Sequence, residues 1–268
     1  TQENPFEARA LASSASNAAD DCGCHDETVS ELKAVAIARG IENELGGTPK
    51  TIIGQPAANV AATAHIAAFT TNSAVQGVSI ADAIALQGVD LSTTPNGNGN
   101  GTATVVGNAT ATTGLKGVVP KDLAVPHPDS GEAALAFHGR AIGIDAGTVK
   151  QPGIIRGNTG NKNYIQGTAE AVLDVQDDEY LVNSHIFDED CVETDLTAIG
   201  IRNATITTGL ADDQVIGMAG IKTGVAVLQK DTSEVELAGI RNKVELAGIQ
   251  NTDIRTGLGN DMVVGQIT

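Results

Sequence analysis

The 268-residue chain has no Trp and only six aromatic residues, Phe6, Phe69, Phe137, Tyr164, Tyr180 and Phe187. A thick globular core draws much of its buried area from aromatic rings, at about 150 to 250 Å² each. This chain must therefore build a narrow interior from Ala, Val, Ile and Leu. Positive charge is scarce too: 16 Lys and Arg stand against 33 Asp and Glu, a formal net charge of −17. Such a surface repels phosphates instead of neutralising them, which argues against a nucleic-acid partner. Cations are its natural counter-ligands, and charge of one sign also keeps an elongated protein soluble.

Three cysteines, Cys22, Cys24 and Cys191, cannot all pair within one chain, so no disulfide framework is encoded. No uncharged apolar run reaches the roughly 18 residues of a spanning helix, and no membrane span is expected. The sequence opens at Thr1 without a signal-like apolar segment, and removal of a leader is one reading of that start. His65, His127, His138 and His185 have no Ser, Cys or paired carboxylate at a catalytic spacing. Neither a G-x-S-x-G elbow nor a phosphate-cradling glycine loop occurs. The chain reads as non-enzymatic.

Repetition is what the sequence does contain. Residues 198–220 (AIGIRNATITTGLADDQVIGMAG) align without a gap on 246–268 (LAGIQNTDIRTGLGNDMVVGQIT), an offset of 48 with ten of 23 positions identical. Self-similarity at a fixed period marks repeat architectures. Val235–Asn242 (VELAGIRN) recurs nine residues later as VELAGIQN, which implies a short repeat length, and Asn108–Leu115 (NATATTGL) matches Asn203–Leu210 (NATITTGL) at seven of eight positions. Alternation in these units puts Ile and Val on one face of a strand, while Gly and Asn turn corners. One such unit cannot bury its apolar face alone; stacking successive units at about 4.8 Å buries a continuous column. The 31 glycines suit repeated tight corners. Asn203, Asn242 and Asn251 are candidates for a stacked amide ladder or for left-handed corner positions.

The opening of the chain predicts helices. Asn4-Pro5-Phe6-Glu7 offers an N-cap, a Pro at the first helical position and a Glu three residues after the cap. Residues 6–19 are Ala-rich, and Thr28 with Glu31 starts a second predicted helix over 29–45 that Gly46-Gly47 stops. Arg39-Gly40-Ile41-Glu42-Asn43 also resembles the downstream repeat, so the end of that helix has an alternative reading. Residues 57–69 fit a helix or buried strands equally, and Thr93–Gly101 is a low-complexity loop. The expected fold is mainly β: a parallel β-solenoid of the β-roll or β-helix kind over 108–268, a helical N-terminal segment over 1–46, and degenerate repeats over 47–107.

The pattern Gly-Ile-x-Asn-x-x-Ile-x-Thr-Gly-x-x-x-Asp-x-Val-x-Gly, over 196–268, resembles the repeats of haemolysin-type (RTX) calcium-binding β-roll proteins, which are secreted or displayed on bacterial surfaces. Thr256-Gly257-Leu258-Gly259-Asn260-Asp261-Met262-Val263-Val264 is similar to the family nonapeptide G-G-x-G-x-D-x-U-x and departs at Thr256; the copy from Thr208 departs at Thr208 and Ala211. The resemblance implies Ca²⁺ at Asp213 and Asp261, with Asp212 and Asn260 beside them, because a hard cation takes six or more oxygen ligands. The alternative for these residues is an Asp capping a turn.

Cys22-Gly23-Cys24-His25 could supply three ligands to a tetrahedral metal, with Cys191 or Asp26 as the fourth. A plain loop, or a disulfide from Cys22 or Cys24 to Cys191, is the preferred alternative. Nine acidic residues within 174–195 read as solvated strand edges or a calcium-binding cluster. The expected function is a structural, self-assembling subunit of an extracellular or surface filament or layer, a homo-oligomer stacking head to tail. An end without a polar cap would invite another copy, with the first 46 residues as its plug. A calcium-stabilised adhesion or scaffold module is the alternative, and a β-helix enzyme acting on acidic glycans the second. Scarce aromatic rings and a negative surface speak against the enzyme.

Overall fold

The computed structural model describes residues 6–18, 30–42, 50–53, 57–70, 75–92, 103–116, 135–157, 160, 162–176, 192–223 and 240–268. These residues are mostly β, with no helix among them. The strands are β1 (Phe6–Ala18), β2 (Ser30–Glu42), β3 (Lys50–Ile53), β4 (Ala57–Thr70), β5 (Val75–Gln87), β6 (Val89–Ser92), β7 (Ala103–Lys116) and β8 (Leu135–Asp145). They continue as β9 (Gly153–Arg156), β10 (Asn163–Gln176), β11 (Val192–Arg202), β12 (Ala204–Thr207), β13 (Gln214–Thr223), β14 (Ile240–Gln250), β15 (Asp253–Arg255) and β16 (Met262–Ile267).

Three parallel sheets result. A six-stranded sheet runs β1-β4-β7-β10-β13-β16, a long five-stranded sheet β14-β11-β8-β5-β2, and a short five-stranded sheet β15-β12-β9-β6-β3. Each strand pairs with the strands three places before and after it, so the chain visits the sheets in strict rotation. Three successive strands make one layer. The 48-residue offset is the length of the last such circuit: Ile201 pairs with Ile249, Ile206 with Ile254, Val215 with Val263 and Gly217 with Gly265. Identical residues recur because they stack.

The two shorter repeats have other origins. Asn242 lies inside β14 and pairs with Thr194, nine residues ahead of Asn251, so Asn242 and Asn251 are not stacked equivalents. Nine residues is therefore not the stacking period. Residues 108–115 belong to the six-stranded sheet, where Asn108 pairs with Thr168, whereas 204–207 form β12 of the short sheet.

The predicted N-terminal helices are strands. All thirteen residues of β1 pair with β4, and β2 pairs with β5. In β2, Ala34, Ala36 and Ala38 are buried while Val35 and Ile37 are 43% and 55% exposed, a period of two. Ala is a good helix former but a weak prior, and tertiary pairing overrides it. Ile41 pairs with Leu86, in line with Ile144, Ile201 and Ile249, as the repeat-like reading has it over residues 39–42; Asn43 lies outside the described residues.

The larger side chains face outward in β2, and where the middles of the six-stranded and long sheets meet, the facing rows are mostly small residues. Ala62, Ala64, Ala109, Ala111, Ala169 and Ala171 are buried on one side, and Ala81, Ala83, Ala141 and Ala198 on the other. At the closest approach, Gly107, Gly167, Gly217 and Gly265 form one column. Gly143, Gly200 and Gly248 form the facing one: a Cβ on Gly143 would sit 2.6 Å from Thr168 N, 2.7 Å from Gly200 O and 2.8 Å from Gly107 O. Leu86, Ile144 and Ile201 of the long sheet join Ile155 and Ile206 of the short sheet in the same buried cluster. A polar link crosses this interior, where the buried Ser79 and Thr113 hydroxyls lie 2.8 Å apart and Thr113 donates to Ser79 O at 2.9 Å.

Candidate functional site at the acidic corner

Residues 208–213 join β12 to β13, and residues 256–261 join β15 to β16, one layer further on. Stacking these segments brings together all four residues predicted for calcium. Asp213 is fully buried, and its Oδ1 accepts from the backbone N–H of Asn163 at 2.9 Å and from Asn163 Nδ2 at 2.8 Å. Asp261 Oδ1 accepts from the N–H of Asp213 at 3.0 Å. Asp212 Oδ1 accepts from the N–H of Asn260 at 2.9 Å, and its other oxygen is 3.6 Å from Lys162 Nζ. Asn163, Asp213 and Asp261 occupy one register position in successive layers. Asp213 and Asp261 thus each hold a corner amide of the layer before, and Asp212 one of the layer after. The capping role considered for these aspartates is present, but it acts across layers and not within one turn.

Two buried oxygens in this corner, Asp213 Oδ2 and Thr208 Oγ1, have no hydrogen-bond partner. An unpaired buried acceptor costs about 1 to 3 kcal/mol, so this position suits a cation or a water. Among the described residues, no group of three or more His, Cys, Asp or Glu side chains is placed to hold a metal.

A second polar column lies where the long sheet meets the short one. Asn203 and Asn251 hold φ of 52° and 47°, the left-handed region that Asn tolerates better than most residues. Asn203 Nδ2 also donates to Asp145 Oδ1 at 3.1 Å and to Gly147 O at 3.3 Å, and Arg202 Nη2 donates to Asp145 Oδ2 at 2.7 Å. Asn203 therefore combines a left-handed corner with a bond to the layer before it.

A third column lies on the long sheet. Asp82 Oδ2 accepts from Arg39 Nη2 at 2.6 Å and Asp82 Oδ1 from Arg140 Nε at 2.9 Å, with Arg140 Nη2 also on Oδ2. Burial pushes the Asp82 carboxyl up, but the hydrogen bonds and charges of Arg140 and Arg39 outweigh it and hold the group below its ordinary value.

Comparison with family models, curated proteins and solved structures finds no match to this chain.

Cys22, Cys24, His25 and Cys191 lie outside the described residues, as does most of the acidic stretch, of which Asp195 pairs with Lys243 Nζ at 2.8 Å. His65 lies in β4 and His138 in β8. Sequence reasoning missed the Asp82 and Asp145 columns, and a signal for both exists. Ala83-Ile84-Ala85-Leu86-Gln87, Ala141-Ile142-Gly143-Ile144-Asp145 and Ala198-Ile199-Gly200-Ile201-Arg202 share one pattern. Aligning on it sets Asp82 beside Arg140 and Asp145 beside Arg202, as the pairing does. Among the described residues, no helix is long and apolar enough to cross a membrane.

Proposed function

We propose that the chain is a parallel β-solenoid whose function is structural, adding length to an extracellular or surface assembly by stacking on further copies of itself. The observation that supports it most is the repeat in register: β14, β15 and β16 bury β11, β12 and β13 and offer the same pattern outward. Val244, Met262, Val263 and Ile267 are 41% to 59% exposed on these strands. They continue columns that run through Leu196, Gln214, Val215 and Ala219. A strand edge carrying apolar columns and unpaired amides is a template for another strand, and a contact between two different faces of one molecule propagates linearly.

Negative-stain microscopy and sedimentation over a range of concentrations test this reading. Linear particles that lengthen with concentration are expected, and Val263→Lys, at a half-exposed edge position, should leave single particles with unchanged strand content. Compact particles of one size at every concentration would refute it.

A second reading, a calcium-stabilised scaffold or adhesion module, is favoured by the unpaired Asp213 Oδ2. Asp213 and Thr208 would contribute side-chain oxygens, and the bound ion would supply positive charge to the corner. Calcium at about 100 times its Kd would add roughly 2.7 kcal/mol, and each kcal/mol raises Tm by about 2 to 4 °C in a chain of this size. Asp213→Asn should abolish the rise. A melting curve indifferent to calcium would remove this reading and leave the first intact.

A further inference from the structure

We propose that the outward face of the six-stranded sheet carries a binding groove for one ring of a neutral sugar. The open groove crosses β7, β10 and β13, reaches Thr268 beyond β16, and has a volume of about 250 Å³. Its origin is a missing side chain. Along one outward column Thr110 pairs with Glu170 and Glu170 with Gly220, so polar side chains are followed by none. In the adjacent column Asn108 pairs with Thr168 and Thr168 with Met218. Gly220 and Met218 make an apolar floor, and Asn108, Thr110, Thr168 and Glu170 make a rim of amide, hydroxyl and carboxylate.

The chemistry of the ligand follows from that rim. Neighbouring strands lie about 4.8 Å apart and alternate residues about 6.7 Å apart, so the four rim groups form a grid on the scale of a sugar ring. An anion is opposed by the net charge of −17. A small cation meets a carboxylate already paired with Lys222. A wholly apolar molecule would bury the rim without satisfying it. A neutral polyhydroxylated ring can lay its C–H face on Met218 and Gly220 and exchange hydrogen bonds with the rim. No aromatic ring lines the groove, so affinity for a single ring is low.

Saturation-transfer NMR detects such binding. The probes are glucose, galactose and N-acetylglucosamine, with glucuronate as the charged control. Transfer to at least one neutral sugar and none to glucuronate is expected. Gly220→Val should abolish it by filling the floor. A Cβ there meets Thr268 Oγ1 at 2.8 Å and the backbone Thr268 O at 3.2 Å, so residue 268 must shift by a few tenths of an ångström, and unchanged strand content by circular dichroism is the check that the variant folds. Thr168→Val provides a second variant and should weaken transfer several-fold. No transfer to any neutral sugar, equal transfer to glucuronate, or transfer unchanged in both folded variants would each overturn the proposal.

Discussion

Asp82 keeps its charge through partners 43 residues before it and 58 after it, Arg39 and Arg140. Asp82→Asn would leave two guanidinium groups with a weaker acceptor, and a loss of about 1 to 3 kcal/mol is expected, read as a lower urea midpoint. Because the folded carboxyl is held below its unfolded value of about 3.9, it contributes stability above that pH and loses it as the pH falls through the folded value. The wild type should accordingly lose more stability than Asp82→Asn as the pH falls below about 4. Equal losses would show that the pair contributes nothing. At the corner, Asn203→Ala should cost about 1 to 2 kcal/mol, since it forces Ala into the left-handed region and removes the bond to Asp145. Asn203→Gly, which relieves the backbone alone, should cost less. Thermal melts of the two variants separate these contributions.

Among the elements, the contact of the six-stranded sheet with the long sheet is the least forgiving. A methyl group on Gly143 collides with backbone atoms of both sheets, and backbone cannot rotate away as a side chain can. Gly143→Ala should therefore cost at least about 1 to 3 kcal/mol, and a neutral melt would show that the sheets are further apart. The same closeness explains which elements could be read from sequence. The last layers were legible because Ile201, Ile206 and Val215 reappear 48 residues on as the residues they stack against. β2 was not, because where sheets meet through Ala, the buried face of a strand consists of good helix formers. Ala34, Ala36 and Ala38 carry no mark of their strand until β5 is placed beside them. Of the sites, Asp213 and Asp261 stood out by repetition. Asp82 did not, since its partners belong to other layers and differ in kind.

At the scale of the whole molecule, a net charge of −17 opposes the proposed stacking of copies. Screening over a Debye length of about 8 Å at physiological salt should favour it. Particles observed by sedimentation should therefore lengthen between about 10 and 150 mM sodium chloride, and shortening over that range would point to ion pairs as the joining force.

Rotation of the chain through three sheets in register also bears on inheritance. A tandem duplication of the DNA for one 48-residue circuit would insert a whole layer whose neighbours above and below already match it. The molecule could so grow by about 4.8 Å without any interior contact being redesigned.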